Sequence, residues 1–111
     1  MRLTEFLDIV EETITTDEEG FKIKEIQTLA SVRAYREGRH GSEMWKNLSA
    51  FSDVTDLFII RTIPNLRISK NMILLNRNQR FEIKSVEEIK GRGMYIEILA
   101  KEVEPSGKSN S

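Results

Sequence analysis

Cysteine is absent from this chain, which excludes a disulfide framework and any cysteine-ligated zinc site. No run of about 18 apolar residues occurs, and acidic residues begin at Glu5 with no long apolar stretch before them. The expectation is therefore a soluble intracellular protein with neither membrane span nor secretory signal. Charge of one sign is also missing in bulk. Lysine plus arginine number 17 against 18 aspartate plus glutamate, so net charge alone does not predict a nucleic-acid partner. The chain is short of catalytic material too. His40 is the sole histidine and stands in Arg39-His40-Gly41-Ser42-Glu43, where no second ligand or acid-base partner converges on it. Ser42 and Ser85 lack a glycine-flanked nucleophile elbow, and no Walker-type or Rossmann glycine pattern is present. Glu11-Glu12 and Glu87-Glu88 imitate paired carboxylates, but adjacent strand residues point to opposite faces. No enzyme activity, metal or cofactor is implied.

What the chain does have is strand-forming segments. Leu57 to Thr62, Phe81 to Val86 and Met94 to Leu99 are apolar runs separated by polar turn signals. Strands cannot satisfy their own backbone hydrogen bonds singly, so these imply a sheet-built domain. Upstream, the β-branched set Ile9, Val10, Thr13, Ile14, Thr15 and Thr16 favours a strand, followed by a turn at Asp17-Glu18-Glu19-Gly20. Alternation resumes at Phe21 and slips phase around Ile26 to Thr28, which predicts a bulge. That strand is expected to end before Glu37-Gly38-Arg39-His40-Gly41. Ser42 is placed to cap a short helix with Met44, Trp45, Leu48 and Phe51 along one face. Pro64-Asn65 should break the strand before it, Ile68 to Asn71 should connect, and Asn76 to Gln79 should turn Met72 to Leu75 into the strand at Phe81. Gly91-Arg92-Gly93 predicts a second hairpin. The tail from Glu104 to Ser111 lacks apolar residues and is expected to be disordered, leaving one domain over residues 1–103. Five or six successive strands with one short helix in a long loop fit a mainly β fold, a small antiparallel β-barrel.

The charge is unevenly distributed. Residues 1–20 carry Glu5, Asp8, Glu11, Glu12, Asp17, Glu18 and Glu19 against Arg2, whereas residues 61–84 carry Arg61, Arg67, Lys70, Arg77, Arg80 and Lys84 against Glu82. The local pattern best suited to nucleic acid is Arg33, Arg36, Arg39 and Lys46 interleaved with Tyr35, His40 and Trp45. Glu37 and Glu43 dilute it, and Trp45 at helical spacing suits packing better than base stacking.

Taken in order, Asp17-Glu18-Glu19-Gly20-Phe21, Ala30-Ser31-Val32-Arg33-Ala34, Gly41-Ser42-Glu43, Phe58-Ile59-Ile60-Arg61 and Phe81 to Val86 resemble the head closure, or head-tail joining, family of tailed phages. The closing Gly91-Arg92-Gly93-Met94-Tyr95-Ile96-Glu97 completes a similarity over most of residues 5–103. The resemblance implies a non-enzymatic connector of a phage or prophage virion, free in the host cytoplasm before assembly. It would sit beneath the portal and adaptor ring, dock the tail and help retain packaged DNA. It also implies a homo-oligomeric ring, whose head-to-tail contacts the acidic and basic regions could serve. The segment from Glu37 to Asp53 then maps to one that projects toward the central channel. Arg36, Arg39, His40 and Lys46 become candidates to face DNA, in non-specific contact, and Met44, Trp45 and Leu48 candidates to pack an assembly interface.

The competing expectation is a small β-barrel that binds RNA or single-stranded DNA on an exposed aromatic and basic face. Against it, the eight aromatics, Phe6, Phe21, Tyr35, Trp45, Phe51, Phe58, Phe81 and Tyr95, are scattered, and most sit where a core needs them.

Overall fold

The computed structural model describes residues 2–38, 53–89 and 93–103. Six strands account for most of them: β1 (Glu5–Thr16), β2 (Lys22–Gly38), β3 (Asp56–Arg61), β4 (Ile73–Asn76), β5 (Gln79–Glu88) and β6 (Tyr95–Val103). Every pairing is antiparallel, and the order β1-β2-β3-β6-β5-β4 closes on itself through β4 and β1. The sheet-built reading and its barrel thus hold. Among the described residues there is no helix, and the short helix expected after Ser42 lies outside them, as does the 104–111 tail. No helix of the described residues is long and apolar enough to cross a membrane.

Closure follows from period-two alternation. Leu7 and Ile9 of β1, Ala34 of β2, Phe58 and Ile60 of β3, Leu74 of β4, Phe81 and Ile83 of β5, and Ile96, Ile98 and Ala100 of β6 share one buried cluster. Phe58 and Phe81 meet edge to face at its centre, 5.0 Å between ring centroids.

Two bulges keep that alternation in phase. Ile9 pairs with Ala30 and Val10 with Thr28, so Leu29 is the extra residue, one position past the expected slip. Between the Ile83–Ala100 and Ser85–Leu99 pairs, Lys84 is extra, so Val86 rather than Ser85 packs on the core after Ile83. The β4–β5 turn is Arg77-Asn78, both with positive φ (54° and 64°), as a two-residue hairpin loop with right-handed twist requires. The connection over residues 62–72 is an apolar plug at one end of the barrel: Ile68 and Met72 are buried, and Ile63 and Leu66 pack beside them.

β2 departs from expectation at both ends. It runs through Glu37 to Gly38, because Glu37 pairs with Leu57 and Gly38 with Asp56. Its first seven residues, with the end of β1, lie outside the closed wall as a two-stranded arm that is exposed on both faces.

Candidate functional site

At the end of the barrel opposite the plug, alternation delivers one more layer of inward positions, and all six are polar: Glu5, Arg36, Asp56, Asn76, Gln79 and Glu102, one per strand. Polar groups drawn toward a core must bond to one another, and these do. The Arg36 guanidinium donates from Nε to Asp56 Oδ2 at 2.9 Å and from one Nη to Asn76 Oδ1 at 2.7 Å and Gln79 Oε1 at 2.8 Å. It lies over the Phe81 and Phe58 rings at 5.1 and 5.8 Å, capping the aromatic pair in the core. Thr55 donates its hydroxyl to Asp56 Oδ1 and accepts the Glu102 amide. Asn76 donates to the Phe6 carbonyl and to Glu5, Gln79 donates to Glu102, and Arg77 grips Glu5 with two 2.7 Å bonds. Burial pushes the Glu5 carboxyl up, but hydrogen bonds from Arg77 and Asn76 with the charges of Arg77 and Arg36 outweigh it and hold the group below its ordinary value.

This mouth carries the segment left between β2 and β3. On the outgoing side Tyr35 donates to Glu37 at 2.6 Å, which raises the phenol above its ordinary pKa, with burial adding to the effect. On the returning side Lys84 holds Asp53 at 3.3 Å, and its hydrogen bond and charge lower that carboxyl despite some burial. Val54 is buried with Leu57 and Leu99 in a second apolar cluster, against Tyr35 and Ile59. Both feet of the segment are therefore fixed.

Of the residues singled out from sequence, Arg36 is at the mouth with its guanidinium committed to Asp56, Asn76 and Gln79. Arg39, His40, Met44, Trp45 and Leu48, together with Lys46, lie outside the described residues. The acidic and basic regions partly satisfy each other within one chain, through Glu5–Arg77 and Glu12–Arg80.

One feature of the wall was missed in the sequence. Phe6 is 69% exposed beneath the guanidinium of its cross-strand partner Arg33, 4.5 Å from the ring centroid, and Arg61 lies 6.0 Å from the Tyr95 ring with which it is paired. Phe21 is 64% exposed. The expectation that most aromatics fill a core holds for Phe58 and Phe81 and fails for these two. Phe6 stands in the alternate row to Leu7 and Ile9, a phase that marks it as outward once β1 is taken as a strand. Arg33, Arg61 and Thr62 line a groove of about 410 Å³ together with the apolar Leu3, Val32, Ile63 and Pro64.

An apolar plug thus closes one end of the barrel and a polar layer the other, with Arg36, Arg77 and Arg80 in ion pairs. Among the described residues no three acidic or histidine side chains are grouped to hold a metal ion. Residues 1–103 match the family of phage head completion proteins. The chain belongs to that family. It is thus a phage structural protein, and the family resemblance read from the sequence stands. The chain has no match among curated proteins. Among solved structures it is similar to a chain in the virion of a native gene transfer agent particle, with 21% identity over 93% of this chain and 97% of that one and a TM-score of 0.56. It is also similar to protein SF1141 from Shigella flexneri 2a in its solution structure, with 16% identity over 96% of each chain and a TM-score of 0.68. At these identities the two structures support the fold of this head completion protein.

Proposed function

We propose that the chain is a head-tail connector of a tailed phage or prophage, joining the portal or adaptor ring to the tail and helping to retain packaged DNA. The observation that carries this reading is the family match, which spans the whole barrel. The architecture supports it, because a wall closed by hydrogen bonds and sealed at both ends is a stiff spacer whose action is obstruction and docking. On this reading copies made in the host cytoplasm assemble into a homo-oligomeric ring in the virion. The 39–52 segment is presented by the two fixed feet: Arg39, His40 and Lys46 approach DNA, Met44, Trp45 and Leu48 pack on assembly, and Arg36 anchors the base.

Deleting the gene from the parent phage should give heads that package DNA, fail to join tails and lose their DNA, counted by electron microscopy and nuclease sensitivity. Normal infectious particles from the deletion would refute the reading. Arg39→Ala with Lys46→Ala should reduce DNA retention, with the deficit changing with salt.

The exposed Phe6–Arg33 stack favours the second reading, a module for RNA or single-stranded DNA. Tight, stoichiometric binding of free oligonucleotides that weakens steeply with salt would move the assignment there.

A further inference from the structure

Beyond Glu12, whose carboxylate pairs with Arg80, no strand of the described residues lies beside the β1–β2 arm. Beyond the bulge, cross-strand pairing puts Glu12, Ile14 and Thr16 on one face with Ile26, Lys24 and Lys22. Ile14 and Ile26 are diagonal neighbours there, 65% and 55% exposed. Its tip is ordered: Asp17 Oδ1 accepts the amides of Glu19 and Phe21, both at 2.9 Å, and Gly20 supplies the positive φ of 88°. The result is a fixed turn presenting one aromatic ring, Phe21, among the carboxylates of Asp17, Glu18 and Glu19.

The groove on the wall is its complement in charge and polarity. Its lining is mostly apolar, and Arg33 and Arg61 are part of that lining, exposed and with no salt bridge among the described residues. Phe21 directly precedes β2 and lies twelve positions before Arg33, roughly 40 Å at ~3.3 Å per residue. A stiff ribbon of that length does not bring the tip back to its own groove.

We infer that the arm of one copy docks on a second copy of this chain, with Phe21 in the groove that Arg33 and Arg61 line and the Asp17, Glu18 and Glu19 carboxylates facing the two guanidinium groups. Tip and groove are different surfaces, so the contact is head-to-tail and repeats from copy to copy, closing where the rotation permits. This deepens the connector reading and rests on it for the expectation that copies stand side by side.

Because the chain has no cysteine, introduced thiols report the contact cleanly. Full-length Glu19→Cys and Pro64→Cys proteins, mixed and oxidised, should form a mixed disulfide at least fivefold above Glu19→Cys mixed with Glu82→Cys, a control on the exposed face of β5. A chain carrying both Glu19→Cys and Pro64→Cys should give a ladder of covalent oligomers. Phe21→Ser in the first partner, or Arg33→Glu with Arg61→Glu in the second, should return the yield to the control level. A yield equal to the control from the start overturns the inference. So does loss of oligonucleotide binding on Arg33→Glu with Arg61→Glu while cross-linking is unaffected, since the groove would then serve nucleic acid. The two readings fail separately: a specific cross-link with normal particles from the gene deletion sinks only the connector role, and no cross-link with tail-less particles sinks only the arm contact.

Discussion

At one end of the barrel Glu5, Arg36, Asp56, Asn76, Gln79 and Glu102 bond within one connected layer. At the other, the β1–β2 arm holds Ile14, Phe21, Ile23 and Ile26 between 41% and 65% exposed, with no third strand beside them among the described residues. Both ends come from the same alternation in β1 and β2. Where β1 has β4 on its far side, at Asp8 to Val10, the inward row is covered; past the Glu12–Arg80 pair no other strand of the described residues lies beside the ribbon. Asp56 and Asn76 are buried where six strands converge, and apolar residues are exposed where two strands run together. Residue type alone therefore does not decide burial at these two ends; the number of neighbouring strands does too. The covered end should respond to mutation as a core, and the arm as a surface.

The largest effect is expected at the mouth. Asp56→Ala leaves the Arg36 guanidinium within the barrel without its counter-ion, and breaking a buried pair in this way costs about 3–5 kcal/mol. Urea unfolding monitored by circular dichroism measures it. A loss below roughly 1 kcal/mol would mean that water already reaches the layer and that the two ends differ less than their geometry suggests.

A smaller effect, confined to the arm, is expected from Asp17→Ala. It removes the acceptor shared by the Glu19 and Phe21 amides, worth about 1 kcal/mol of local order. Hydrogen exchange at those two amides should quicken while exchange at Phe58 and Phe81 stays unchanged. Faster exchange in the core would show that arm and barrel unfold as one unit.

Smaller again, and opposite in sign, are two titrations. Glu5 titrates below its ordinary value in the folded chain, so it contributes stability above its unfolded pKa that is lost as pH falls through the folded one. Glu5→Gln should therefore cost roughly 0.5–1 kcal/mol near pH 7 and almost nothing in acid. Glu97 is raised, first by burial and then by Glu87 directly across the strand pair. Its contribution is fully present below the unfolded pKa and is lost as pH rises through the folded value, so Glu97→Gln should stabilise the chain at neutral pH. Denaturant midpoints for both variants at pH 4 and pH 7 check the signs.

How far the sequence carried the fold depends on which signals were local. The turns at Asp17 to Gly20 and Asn76 to Gln79 were legible because their residue types require particular backbone geometry. The bulge was legible to within one residue because it shifts the phase of alternation. The mouth was not, since Glu5, Arg36, Asp56, Asn76, Gln79 and Glu102 are far apart along the chain and only strand order makes them one layer. Arg36 looked like a free basic residue beside Arg33 and Arg39. The parity of Val32, Ala34 and Arg36 is the local hint that it points inward, and its partners come from three other strands. The arm was legible as two strands but not as an arm, because its isoleucines are those of a core strand.

That last confusion sets the smallest prediction and the most discriminating one. Ile14→Thr with Ile26→Thr keeps the β-branched shape that strands favour and removes apolar surface that is left largely exposed among the described residues. Surface changes of this kind shift stability by about 0.5 kcal/mol or less, so the midpoint of unfolding should stay within error of the unmodified chain. If the pair costs several times that, the arm folds against something in the free protein, and its exposure no longer marks it as the element held out to a neighbour. If stability is unchanged but the Glu19→Cys to Pro64→Cys cross-link weakens, the flanking isoleucines extend the contact beyond Phe21. The exposed apolar face then belongs to the assembled state in the way the mouth belongs to the monomer.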